Sequence, residues 1–377
     1  MDVQGGIESY CRETYPQLAR LGCEVTVFSR RGYSCTRGWT DGVRVIPLWC
    51  PKGTCIETPF HTLFAIFAAR ACKAEIVHFH AVGSALFVPV ARFLGMKTVL
   101  RHVGADWKRP KWGVVARMTL RLGNYLGVRF ADEVVCVSRE IAQEIHTRYG
   151  RDAAVIPNGV SRPARVASPE ALDLDPLVTP YVLAVGRVVP EKGFHVLIDA
   201  HRRLPAAKRL KLVIAGGAQG DRTYWNLLER DAKRSGDVIL TGELRRDRLH
   251  DALAHAAVLV LPSFQEGMSF AALEGFAYGL PTLLSDIPAN REFGLPDVCY
   301  FPPGDPERLA ETLTQACTDA AIRAKLRMAA KRAADAFAVE ATAAATYAIC
   351  LRLVGKPKRF RRKRVGARID VRRLRSE

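Results

Sequence analysis

Short β-branched runs alternate with amphipathic stretches along most of this chain, and that alternation constrains its fold more than any other feature. Strands are expected at 24–28, 43–48, 76–80, 98–101, 133–137 and 154–157, then at 181–185, 211–215, 238–241, 258–262, 281–285 and 298–301. Helices are expected between them, at 7–21 and 112–130 in the first half. In the second half they fall at 193–204, 225–235, 246–255, 269–278, 306–318 and 321–337. Strands alternating with helices of about 10–15 residues predict parallel sheets with helices on both faces. Between the halves runs SRPARVASPEALDLDPLVT, 161–179, with Pro163, Pro169 and Pro176 and no clear period, which reads as a linker. The expected organisation is a doubly wound domain over 1–162, a linker over 163–179, a second doubly wound domain over 180–340, and a C-terminal helix with a basic tail over 341–377. Such sheets bind ligands at the carboxyl ends of their strands, so a cleft between the domains is the default site.

Gly5-Gly6 reads as a strand-to-helix glycine loop, with four residues before it. A doubly wound sheet places its first, central strand there. Either the start is assigned too late, which is the favoured expectation, or the first domain lacks that strand, in which case its two neighbours would carry unpaired edges.

Apolar residues make up 49% and charged residues 25% of the 377, enough side chain for real cores, which excludes whole-chain disorder. No apolar run reaches the roughly 18 residues of a membrane span. The segment MDVQGGIESY lacks the basic and apolar regions of a signal peptide. Ten cysteines, with no CxxC pair, read as buried thiols in a reducing compartment. Net charge is +18, and 356–377 holds eleven Lys/Arg against Asp370 and Glu377. Charge runs are most often solvated. The sharper expectation is adhesion to an anionic membrane, which is favoured over nucleic acid. The expected location is the cytoplasm or the cytoplasmic face of a membrane.

Three segments carry chemistry. In LPSFQEGMSFAALEGFAY, 261–278, Glu266 lies in a loop and Glu274 in the following helix, with Gly267 permitting close backbone approach. Carboxylates accept well from sugar diols; two solvated acids near a helix start are the bland alternative. In YVLAVGRVVPEKG, 181–193, Gly186 ends a strand, Arg187 follows, and Lys192 stands before the next helix. Two cations there suit a diphosphate and would stabilise its charge as a bond to it breaks. In LRHVGADWKRPKW, 100–112, His102 lies just past a strand and can face the cleft. His78 and His80 are expected on opposite faces of their strand, with His80 nearer the cleft.

Taken in order, these segments resemble retaining glycosyltransferases of family 4, which have the GT-B fold. The matches are QGGIE at 4–8, HVGADWKR at 102–109, IPNGV at 156–160, VGRVVPEKG at 185–193, VIAGG at 213–217 and PSFQEGMSFAALEGFAYGLPTLLSD at 262–286. They span nearly the whole body. The resemblance implies an α/β chain of two Rossmann-like domains facing across a cleft. It implies that Arg187 and Lys192 bind the donor diphosphate, beside Gly186. Glu274 would hold the donor ribose and Glu266 the donor hexose. Gly267, Met268, Ser269 and Phe270 would line sugar and phosphate. Gly5 and Gly6 would lie near the phosphate, and His102 would face the sugar. Gly242, Glu243 and Leu244 would lie by the nucleobase. Arg187, Lys192, Glu266 and His102 are the residues implied in catalysis.

The implied reaction moves a sugar from a nucleotide-diphosphate donor to a hydroxyl of a glycan or lipid-linked glycan, with retention, in polysaccharide or lipopolysaccharide assembly. No cofactor is implied beyond that donor, and no metal. Asp173-Leu174-Asp175 is a DxD triplet, but it lies in the expected linker. The alternatives are another GT-B enzyme, such as a nucleotide-sugar epimerase, or an inactive basic protein that binds membrane or nucleic acid. The sequence departs from the family at Arg101, where many relatives place a small residue, and at Met268, where relatives often have an aromatic or small one.

Overall fold

A computed structural model of the protein describes residues 5–31, 37–51, 53, 56–108, 112–163, 180–206, 209–218 and 222–355. Most of the expected linker, the Asp173–Asp175 triplet and the basic tail lie outside these residues.

The first half carries two sheets. Strands β1 (Val25–Arg30), β2 (Gly38–Thr40) and β3 (Val43–Leu48) form one, in the order β1-β3-β2. Strands β4 (Ile76–His80), β5 (Lys97–His102), β6 (Glu133–Cys136) and β7 (Ala154–Val155) form the other, parallel throughout and in sequence order. The second half has one parallel sheet of six: β8 (Tyr181–Val185), β9 (Lys211–Ala215), β10 (Val238–Gly242), β11 (Ala256–Leu261), β12 (Thr282–Ser285) and β13 (Tyr300–Phe301). Their order is β10-β9-β8-β11-β12-β13, so the connection reverses direction at β8 and β11. That reversal is where a doubly wound sheet opens a crevice.

Among the described residues no strand joins β1 to β4, and each is the end strand of its sheet. Burial follows. Every residue of β8, paired on both sides, is buried, whereas every residue of β1 is only half-buried. Helix Gly6–Arg20 packs Tyr10, Cys11, Tyr15 and Leu18 against Val43 and its neighbours. It also reaches β4, where the Tyr15 hydroxyl meets His80 Nε2 at 2.6 Å and His78 Nδ1 at 3.3 Å. His78 and His80 therefore share one face, with ring centroids 4.6 Å apart, against the expectation of opposite faces. The reason is the strand period of two, which puts residues i and i+2 on the same side.

Local signals start and end the helices. Ser138 accepts from Ile141 N at the start of Arg139–Tyr149, and Gly150 closes that helix in the left-handed region. Asp305 accepts from the N–H groups of Glu307 and Arg308 ahead of Pro306–Thr318. The last helix, Val339–Val354, crosses back onto the first half. Its Ile349 packs with Val99, Val135 and Ile156, and Arg352 donates to Glu133 at 3.0 Å. No helix of the described residues is long and apolar enough to cross a membrane, and the eight described cysteines are free thiols.

Candidate active site

Three neighbouring strands of the second half run into glycine: Gly186 after β8, Gly216 after β9, and Gly242 at the end of β10. The backbone is packed tightly there. A Cβ on Gly216 would lie 1.7 Å from the Gly186 carbonyl, so only glycine fits. Glu243 stands exposed beside Gly217, and Leu244 packs inward on the core.

After Gly186 and Arg187 the chain makes a short 3-10 turn, Pro190–Lys192, closed by Gly193 in the left-handed region. The Phe264 N–H donates to Glu191 O at 2.8 Å, and a Cβ on Gly193 would meet Pro262 O at 2.1 Å. The turn after β8 is thus fastened to the turn after β11. This brings Lys192 Nζ to Glu266 Oε1 at 2.5 Å, with both side chains nearly buried, at 15% and 11% exposed. Ser263 Oγ donates to the same oxygen at 2.7 Å. Ser263 is held in turn, because its carbonyl accepts from Ser285 Oγ.

Ser269 caps helix Phe270–Ala277 through Ala272 N. Glu274 sits on that helix, half-buried. Loss of water raises its carboxyl to about 7; the nearby Arg12 lowers it and Glu13 raises it.

The first half closes on this loop. A Cβ on Gly267 would lie 2.1 Å from Val103 O, the residue after His102. Gly6, at the start of the first helix, faces the Phe270 ring. Asn158 Nδ2 donates to Met268 O at 3.2 Å. Asn158 also accepts from Arg101 at 2.9 Å; that guanidinium is fully buried over the Tyr10 ring. Glu292 Oε1 accepts from Arg139 N and Glu140 N, so the second half caps a helix of the first. Glu13 bridges the same divide, bonding Arg246 at 2.9 Å and Ser161 N at 3.1 Å.

His102 is placed differently from its expectation of facing the donor sugar. Its ring is buried, Nδ1 accepts from Gly104 N, and Nε2 therefore carries the proton, donated to Asn124 Oδ1 at 2.9 Å. Asn124 in turn donates to Tyr149. Burial lowers the His102 pKa, in keeping with a neutral ring. Both ring nitrogens are engaged within the first half, and what this segment offers the loop is the Val103 carbonyl.

The structure thus joins Lys192, Glu266, Gly267 and Met268, with Gly6 against Phe270. The sequence reasoning missed Asn158, Glu292 and Glu13. Asn158 lay in a noticed motif, IPNGV, but had no assigned work; the two acids carry no local signal. Among the described residues no group of three or more His, Cys, Asp or Glu could hold a metal ion.

Two Rossmann-like units closing on a glycine-lined crevice are the architecture of the GT-B glycosyltransferases. Solved structures agree on that fold. A sucrose-phosphate synthase from Thermosynechococcus elongatus has a TM-score of 0.78 at 20% identity, over 94% of this chain and 96% of that one. Anabaena Alr3699/HepE in complex with UDP-glucose has a TM-score of 0.75 at 18% identity, over 93% and 97%. Residues 4–162 match the family described as Glycosyltransferase Family 4, and 175–333 match Glycosyl transferases group 1. A D-inositol 3-phosphate glycosyltransferase of Xylanimonas cellulosilytica is 30% identical over 90% of each chain. The chain belongs to glycosyltransferase family 4.

Proposed function

We infer that this glycosyltransferase takes a sugar from a nucleotide-diphosphate donor and places it on a hydroxyl of a glycan or lipid-linked glycan, with retention and without a metal ion. The observation that carries the reading is the Lys192–Glu266 pair, fastened between the turns after β8 and β11 where the sheet reverses. In this pair each charge satisfies the other. A bound donor would divide it, with its phosphate taking Lys192 and a sugar hydroxyl donating to Glu266. Arg187 and Lys192 would then stabilise the charge that builds on the diphosphate as the C1–O bond breaks. The acceptor oxygen would bond to C1 on the face the diphosphate leaves, and its proton would pass to a departing phosphate oxygen. Glu274 would accept from the ribose hydroxyls. Residues 356–377 would adhere to an anionic bilayer and bring a lipid-linked acceptor within reach.

Thermal shift with UDP, GDP, dTDP and ADP, without metal, tests the donor site. A nucleotide at 100 times its Kd adds about 2.7 kcal/mol of stability. One of the four should raise Tm by several degrees, and Arg187→Ala should abolish the rise. A cooperative melt that none of the four moves would count against nucleotide binding.

Glu274 makes the pH dependence specific. With its carboxyl at about 7, most of it is protonated at pH 6, and the ionised form is the stronger acceptor for ribose hydroxyls. Donor affinity should therefore fall between pH 8 and pH 6, by at most about tenfold, one pKa unit being a factor of ten. Isothermal titration with the nucleotide sugar across that range, with Glu274→Gln as the flat control, reads the effect. The same slope in Glu274→Gln would assign the titration elsewhere.

A further inference from the structure

Arg101 and Met268, the two departures of this sequence from the family pattern, lie in different halves of the molecule and meet at Asn158. Arg101 stands on β5 with its side chain fully buried. Its guanidinium lies 3.9 Å from the centroid of the Tyr10 ring. Its Nη2 donates to Ile156 O at 3.2 Å and to Asn158 Oδ1 at 2.9 Å. Nε and Nη1 have no hydrogen-bond partner among the described residues, so the ring face receives the rest of the charge. A buried cation is costly to keep. This one is kept beside neutral groups: burial first, and the guanidinium second, lowers the neighbouring His78 to about 3.

What the charge does is set an amide. A primary amide has an accepting end and a donating end, and only its partners decide which way it points. A guanidinium donates and cannot accept, so Asn158 must offer Arg101 its oxygen. Asn158 Nδ2 is thereby left to donate to Met268 O at 3.2 Å, and the Asn158 N–H donates to Met268 Sδ at 3.1 Å. The Met268 thioether is therefore turned to the first half, and the residue is 7% exposed. With the amide reversed, Asn158 Oδ1 would face the Met268 carbonyl, acceptor against acceptor. The segment that carries Asn158 is itself fastened. Pro157 O accepts from Thr342 Oγ1 at 3.1 Å, and Val160 N donates to Phe337 O at 3.0 Å, which straps 156–160 to the start of the last helix.

We propose that Arg101 is a positioning residue for the donor loop: by fixing the Asn158 amide it holds Met268 O, and with it the backbone from Glu266 to Ser269, where a donor sugar would be received. This role rests on the reading of that loop as the sugar site. A small side chain at 101 would leave Asn158 Oδ1 without this donor.

The test uses the full chain and three substitutions. Arg101→Met removes the donor and keeps a long side chain, Arg101→Lys keeps a donor and a charge, and Asn158→Ala removes the clasp itself. A cooperative melt by circular dichroism checks that each variant is folded. Hydrogen exchange over residues 264–270, without ligand, reads the loop directly. Arg101→Met should speed that exchange about tenfold, and Arg101→Lys should stay within about threefold of the parent. In the Asn158→Ala background, Arg101→Met should add less than about twofold, because one residue acts through the other. Titration with UDP, GDP, dTDP and ADP and with their glucose conjugates reads the sugar. Arg101→Met should weaken the bound conjugate about tenfold and its bare nucleotide less than about twofold. Loop exchange at the parental rate in Arg101→Met, additive effects in the double variant, or equal loss of nucleotide and conjugate would each overturn the proposal. Faster exchange in a chain whose parent binds none of the four nucleotides would uphold the clasp and overturn the donor reading instead.

Discussion

Replacing Lys192 by alanine should lower turnover by about 10²–10³, and Arg187→Ala should do the same, because each removes a cation from the position where the leaving diphosphate would gain charge. The two variants should differ in stability. Lys192 is paired with a nearly buried Glu266, and its loss leaves that carboxylate with Ser263 alone. A half-satisfied buried acid is costly, so Lys192→Ala should melt several degrees lower. Lys192→Met combined with Glu266→Gln removes both charges and should recover most of that Tm without recovering turnover. Rates from initial velocities and melting by circular dichroism separate the two roles. Turnover within about threefold of the parent in both Arg187→Ala and Lys192→Ala would remove the diphosphate assignment.

Gly267→Ala carries the second large effect, and it acts between the halves of the molecule. The added methyl would sit 2.1 Å from Val103 O, a backbone atom that cannot yield without moving β5 or the loop. Gly267 is not in the left-handed region, so the effect is one of contact and not of backbone strain. The expected result is a fall in kcat/KM of about 10²-fold, the usual consequence of a displacement near 1 Å at a reacting centre. Tm should fall less than in Gly216→Ala, since this clash lies between two loops and not inside a sheet. Gly216→Ala makes the contrast. Its clash, 1.7 Å from Gly186 O, lies inside one sheet, and it should cost about 2–4 kcal/mol of stability. A Gly267→Ala enzyme with parental kinetics would mean that the closed approach of Val103 to the loop is not the arrangement that turns over.

The strands and helices were legible because their signals are local. Tyr181–Val185 and Lys211–Ala215 are apolar runs bounded by glycine, and the structure gives them the expected limits. Helices Arg246–His255 and Pro306–Thr318 likewise keep the boundaries their periodicity predicts. The order of Gly186-Arg187, Lys192 and the 266–274 segment was legible too, since each lies at a strand end, where a doubly wound sheet presents its ligand site. The histidines were not. His102 stands where a cleft residue would, but its ring is turned to an asparagine 22 residues later. His78 and His80 were separated by a misjudged alternation, and Tyr15 brings them together.

By itself the sequence determined the parallel α/β class, the two-fold division and the chemical types gathered at the strand ends, because periodicity, glycine and capping act over a few residues. Only the tertiary structure decided the pairing of Lys192 with Glu266, 74 positions apart, and the clasp of Asn158 on Met268. It alone decided that Arg101 reaches Asn158. Those outcomes depend on which surfaces meet after the chain has turned back on itself, and nothing in the neighbouring residues encodes that.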